Sequence, residues 1–84
     1  MYTGIGEQLL ELSNGNYLFV QDYTSEGGYD YEYIDGQTRL GIDGGWITDE
    51  CNSDDEVINK VLEELGLAEC TYGQSSLDYW EDFA

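Results

Sequence analysis

The stretch Ser53-Asp54-Asp55-Glu56-Val57-Ile58-Asn59-Lys60-Val61-Leu62-Glu63-Glu64-Leu65-Gly66 carries the plainest structural signal in this chain. Ser53 stands where a side-chain oxygen can accept from the unpaired N–H groups of a first helical turn, and Glu56, three residues on, can reach back in a capping box. Val57, Ile58, Val61, Leu62 and Leu65 form one apolar stripe at the helical period, while Asp55, Asn59, Lys60, Glu63 and Glu64 take the opposite side. Gly66 can end the run in a left-handed turn, with Leu67 placed for the hydrophobic contact that accompanies such a cap. The spacing predicts a helix over residues 54–65.

Upstream of this helix the apolar period falls from 3.6 to 2. Asn14-Gly15 separates Leu9-Leu10-Glu11-Leu12 from Tyr17-Leu18-Phe19-Val20, the pattern of a two-residue type I′ hairpin; a short helix over residues 5–12 is the alternative. Asp35-Gly36 separates Tyr29-Asp30-Tyr31-Glu32-Tyr33-Ile34 from Gln37-Thr38-Arg39-Leu40-Gly41-Ile42. A two-residue turn there sets Tyr29, Tyr31 and Tyr33 opposite Ile42, Leu40 and Thr38 on the core face, and Arg39 across from Glu32 on the other. Gly27-Gly28 and Gly44-Gly45 read as connections, and Trp46-Ile47 either extends the second strand or covers the core edge. Downstream, Ala68–Tyr72 can add a short strand, and residues 75–83 can make a final helical turn or two. The expected fold class is α+β: an antiparallel sheet of about four strands packed on one face by the 54–65 helix, with a short C-terminal helix as the further element the tail allows. The other sheet face is expected to be open and acidic.

Eighty-four residues fill one domain, 1–84, with one core. Nineteen acidic residues face only Arg39 and Lys60, a net charge of −17. Nucleic acid and anionic membrane both demand Lys and Arg, so direct binding to either is disfavoured. Any partner selected by charge is basic. With no run of 18 apolar residues and no basic, signal-like start, a cytoplasmic location is expected, a cleaved precursor remaining the alternative. Cys51 and Cys70 bracket the helix, which is roughly 18 Å long, so a disulfide needs the chain to fold straight back along it; two thiols are the simpler reading.

No catalytic constellation is legible. There is no His, the carboxylates fall mostly in turns and at helix ends, and so small a domain offers no enclosure for a substrate; no enzymatic activity and no cofactor are expected. The glycine-rich stretches lack the Gly-Lys-Ser/Thr of a phosphate loop. Asp30, Glu32 and Asp35-Gly36 fail as a calcium loop, because Asp35 takes the place of the sharp-turn glycine and Gly41 that of the closing glutamate. No metal site is expected; the acids at 49–56 read as a helix start favoured by its dipole.

Charge is concentrated in the middle of the chain, where residues 26–56 hold ten of the nineteen acids. Asp30 and Glu32 point the same way on one strand, about 6.7 Å apart, in the manner of phosphates along a nucleic-acid strand. The partner-binding residues expected on this basis are Asp30, Glu32, Asp35, Asp43, Asp49 and Glu50, together with the acidic and aromatic tail Asp78, Tyr79, Trp80, Glu81 and Asp82. Tyr23, Tyr72, Tyr79 and Trp80, among polar neighbours at element ends, are the candidate aromatic anchors.

In size, acidity and acidic sheet the chain resembles a class of small phage and mobile-element proteins that imitate nucleic acid, including anti-CRISPR and anti-restriction inhibitors. The resemblance is one of composition over the whole chain. It implies stoichiometric inhibition of a basic, nucleic-acid-binding defence protein, a CRISPR effector first and a restriction enzyme second, because such proteins expose Arg and Lys for duplex backbone and base edges. Two other readings stand beside it: an acidic adaptor that binds a basic protein without competing with DNA, and a protein whose acidity serves solubility at high salt.

Overall fold

Tyr17-Leu18-Phe19-Val20 is apolar on both sides of its strand, so the segment has to be covered from above and below. The computed structural model of the protein, which describes residues 6–23, 28–48 and 51–74, shows how this is met. Strands β1 (Glu7–Leu12), β2 (Tyr17–Tyr23), β3 (Gly28–Ile34) and β4 (Gly41–Ile47) are followed by helix α1 (Asp54–Glu64) and a short β5 (Tyr72–Gln74). They form one antiparallel sheet in the order β4-β3-β2-β1-β5, with β2 central.

On the inner face Leu10 and Leu12 of β1, Leu18 and Val20 of β2, Tyr29 of β3 and Ile47 of β4 join Cys51 and the α1 residues Val57, Ile58, Val61 and Leu62 in one buried cluster. Tyr31, Tyr33, Leu65, Leu67 and Tyr72 pack at its margin. On the outer face Leu9, Tyr17 and Ile34 form a second, smaller cluster, with Phe19 packed against it.

The expected fold class needs correcting. The molecule is mostly sheet, five strands rather than about four, and α1 is the only helix among the described residues. The extra strand arises where the chain leaves α1. Leu65 caps the helix, Gly66 adopts φ +74°, the Gly66 N–H donates to the Glu63 carbonyl and the Leu67 N–H to that of Leu62 at 2.7 Å, a Schellman turn. The chain is thereby sent back past Cys70 to lie beside β1, where Leu12 pairs with Tyr72 and Leu10 with Gln74. The strand begins at Tyr72, later than the 68–72 segment expected. A C-terminal helix over 75–83 falls outside the described residues, as do Asp49, Glu50 and the tail residues Asp78, Tyr79, Trp80, Glu81 and Asp82.

Both hairpins form, but with wider turns than two residues. At the first, the Gly15 N–H donates to the Leu12 carbonyl and Gly15 takes φ +90°, giving a three-residue loop closed by a glycine in the left-handed region. Residues 7–12 are strand, so the alternative helix over 5–12 does not form there. At the second, the Asp35 carboxylate accepts from the N–H groups of Gln37 (2.8 Å) and Thr38 (2.9 Å), Arg39 takes φ +64°, and the Asp35 N–H reaches the Leu40 carbonyl. The strand therefore restarts only at Gly41. Tyr29, Tyr31 and Tyr33 pair with Ile47, Gly45 and Asp43 instead of Ile42, Leu40 and Thr38, and Ile42 is left as a bulge. Arg39 leaves the Glu32 row altogether and lies over the Tyr17 ring, 5.3 Å from its centroid. Gly44-Gly45, read as a connection, lies inside β4, where the Tyr31 ring occupies the space a Gly45 side chain would need.

The two turns are tied together. Asn16 accepts from the Gly36 N–H at 3.0 Å and donates to the Tyr33 hydroxyl at 2.7 Å, while Asn14 donates to the same hydroxyl at 2.8 Å. A Cβ on Gly36 would overlap the Gly15 carbonyl oxygen, so the two loops are in backbone contact. Cys51 and Cys70 are not joined by a disulfide.

Leu18, fully buried in the central strand, tests how far the domain relies on the inner cluster. Leu18→Ala is expected to lower unfolding stability by about 2–5 kcal/mol, a large share of what a small domain has, as a reduced urea midpoint followed by circular dichroism.

Candidate partner-binding surface

The antiparallel register turns the outer face into a grid. One row runs Glu7, Gln21, Asp30, Trp46; the next Leu9, Phe19, Glu32, Gly44; the third Glu11, Tyr17, Ile34, Gly41. Leu9, Tyr17, Phe19 and Ile34 therefore sit at the centre, with carboxylates of Glu7, Glu11, Asp30 and Glu32 around them. The face expected to be simply acidic has an apolar middle. Two of its polar contacts are internal: Gln21 donates to Glu7 at 3.0 Å, and the Tyr17 hydroxyl donates to Glu11 at 3.3 Å.

The absence of side chains at Gly41 and Gly44 leaves a depression of about 580 Å³ on this face, toward the β4 edge, bordered by Phe19, Gln21, Asp30, Glu32 and the bulged Ile42. The Trp46 ring lies over Gly28, where a Cβ would meet it at 2.7 Å. Asp30 and Glu32, expected at the contact surface, are thus brought together and joined by Glu7 and Glu11.

The remaining expected residues are dispersed. Asp35 sits in the β3–β4 loop, where its two backbone donors hold its carboxyl below the ordinary carboxylate range. Asp43 pairs with Tyr33 on the opposite side of the sheet from Glu32 and accepts from the Gly44 N–H at 2.8 Å. Burial raises the Tyr31 hydroxyl above its usual pKa, and the negative charges of Glu64 and Asp43 raise it further.

At the start of α1 the carboxylates serve the fold. Ser53 accepts from the Glu56 N–H at 3.2 Å, and Glu56 accepts from the N–H of Asn52, one residue before the cap. Asp54 accepts from Gln8, which in turn accepts from Gln74, each at 2.9 Å, stitching helix, β1 and β5 together. Asp55 accepts from the Tyr72 hydroxyl at 2.6 Å. Tyr72, read as an interface anchor, is a half-buried strut to the helix; the Tyr23 side chain and Tyr79 and Trp80 lie outside the described residues. Sequence reasoning missed Glu7, Glu11, Phe19 and Trp46. The signal for the first two was present in Glu7-x-Leu9-x-Glu11, which places both acids on one side of β1.

None of the described carboxylates is buried. Among the described residues no group of three His, Cys, Asp or Glu could hold a metal ion, and no helix is long and apolar enough to cross a membrane. A family model described as large polyvalent protein-associated domain 16 matches residues 5–83. No curated protein and no solved structure matches the chain.

The Tyr72–Asp55 contact has a titration signature. Burial first, then the hydrogen bond to Asp55 and its charge, push the Tyr72 hydroxyl from 10.0 up to about 12. A pKa raised on folding stabilises the fold below the unfolded value and is lost as pH rises through the folded one. The stabilisation from Tyr72 is therefore expected to be intact below pH 10 and to decline toward pH 12. Ultraviolet absorbance of tyrosinate during an alkaline titration should show a late-ionising component, from which Tyr72→Phe removes one tyrosine.

Proposed function

We propose that this chain, which belongs to the large polyvalent protein-associated domain 16 family, a family associated with phage and other mobile elements, works by binding a basic protein surface. The surface it takes is the nucleic-acid-contacting face of a host defence protein, a CRISPR effector or a restriction enzyme, which it occupies in place of DNA. The supporting observation is the charge of −17 together with a fold that keeps every described carboxylate at the surface. Those at Asp35, Asp54, Asp55 and Glu56 serve turns and caps, and Asp30 and Glu32 stand with Glu7 and Glu11 on the outer face of the sheet.

The action requires positioning alone. Carboxylates that meet Arg and Lys form charge-assisted hydrogen bonds, and the field of the whole domain speeds encounter with a positive surface, steeply so at low salt. A phosphate strand presents charge without apolar matter, and here the outer face departs from it. Leu9, Tyr17 and Ile34 at its centre are buried, but half-buried Phe19 and the exposed Ile42 and Trp46 lie among the acids Asp30 and Glu32, as apolar groups do within the charged rim of a protein interface. That observation favours a second reading, an acidic adaptor that holds a basic protein while leaving its DNA in place.

One experiment separates the two. The protein is immobilised at low salt, bacterial nucleic-acid-binding proteins are captured, and duplex DNA is added. Release of a captured nuclease or effector by DNA is the outcome expected of the mimic, retention with DNA bound that of the adaptor, and capture of no basic protein refutes both. The variant Glu7→Gln, Glu11→Gln, Asp30→Asn, Glu32→Gln is expected to weaken capture at least tenfold, since each charge-assisted bond is worth about 1.5–3 kcal/mol, with the urea midpoint unchanged or higher.

A further inference from the structure

We infer that the edge of β4, with which no further described strand pairs, is a docking site for an extended, basic segment of a partner protein, added to the sheet as a sixth strand. This deepens, and rests on, the reading of the chain as a module for basic partners. β4 ends the sheet on one side, is seven residues long, and is exposed at each position from Gly41 to Trp46. An edge strand presents a row of backbone N–H and C=O groups, and natural sheets blunt such rows with Lys, Pro, a bulge or a covering loop. β4 contains neither Lys nor Pro, and its bulge at Ile42 leaves Asp43–Ile47 in regular register. Its large apolar side chains are unusually bare, Ile42 53 % and Trp46 44 % exposed.

The charge around this edge selects the occupant. Asp43 lies on the strand itself, and Asp30 and Glu32 lie one strand inward, opposite Trp46 and Gly44. A residue on an added strand opposite Gly44 would stand about 10 Å from Glu32, twice the spacing between neighbouring strands. No side chain at Gly44 intervenes, so an arginine or lysine there can lie across the strand into the depression between Asp30 and Glu32, beside Phe19. Backbone pairing gives affinity and this pocket gives preference for a cation at alternate positions, the two halves of strand-addition recognition. A second copy of the chain offers a β4 edge as well, but brings another −17 to the same place.

The test uses two seven-residue peptides of alternating valine and arginine carrying a fluorescent label, one unmodified and one N-methylated at each internal residue. The second keeps every charge and loses the strand donors. The unmodified peptide is expected to bind at least tenfold more tightly by fluorescence anisotropy, to slow amide hydrogen exchange within Gly41–Ile47, and to lose at least tenfold in affinity against Asp30→Asn, Glu32→Gln, whose side chains lie outside the core. Equal binding of the two peptides would overturn strand addition and leave the attraction to basic partners standing. Slowed exchange confined to other strands would overturn it too, as would binding of neither peptide. Protection of β4 by self-association in the absence of peptide would assign the edge to a second copy and overturn the basic occupant.

Discussion

Self-repulsion is the constraint on which every other feature of this domain depends. Spread over an accessible surface of 5160 Å², a net charge of −17 leaves about 300 Å² per charge, a mean spacing of roughly 17 Å, or two Debye lengths at physiological salt. An even distribution would be nearly silent there. Asp30 and Glu32, alternate residues of one strand, stand about 7 Å apart, where two charges in water repel by about 0.6 kcal/mol before salt screens them. Burying one leucine contributes about 1.5–3 kcal/mol, so the inner cluster can offset several such pairs. The charge is tolerable because the core contains none of it.

How that core is assembled explains what could be read from the chain. The helix was legible to within a residue, because cap, stripe and terminating glycine all lie within fourteen consecutive positions and answer to local chemistry. Turn positions were legible as well, and turn widths were not. Asn14-Gly15 and Asp35-Gly36 mark where the chain reverses, but the width of the second turn depends on the Asp35 carboxylate capturing two backbone donors and on Arg39 accepting a left-handed conformation. Three Tyr residues facing the core were foreseeable from alternation, whereas their partners moved by five residues once the loop widened. Gly44-Gly45 misleads for a related reason. Two glycines weaken a strand in isolation, and here the Tyr31 ring occupies the space that a Gly45 side chain would take.

The same division holds for the candidate surface. Asp30 and Glu32 could be placed on one face from their own strand alone. Glu7, Glu11, Phe19 and Trp46 join them only through the registers of three separate strand pairs, which the pattern of no single strand fixes. The apolar centre was hidden in plain view, because Tyr17-Leu18-Phe19-Val20 has no polar side and a strand with no polar side must contribute to both faces of its sheet.

That two-sidedness bears on what the charge is for. If acidity served solubility alone, the outer face would do best with no exposed apolar group among its carboxylates, yet it leaves Ile42 and Trp46 bare beside Asp30 and Glu32, with half-buried Phe19 between them. A charged margin discriminates among partners and accelerates encounter, and an apolar centre slows departure, because desolvated aromatic contacts contribute most of the free energy in protein interfaces. Direct imitation of a phosphate strand would use the acids and waste the apolar groups. A basic protein surface that itself has apolar contacts between its cations would use both.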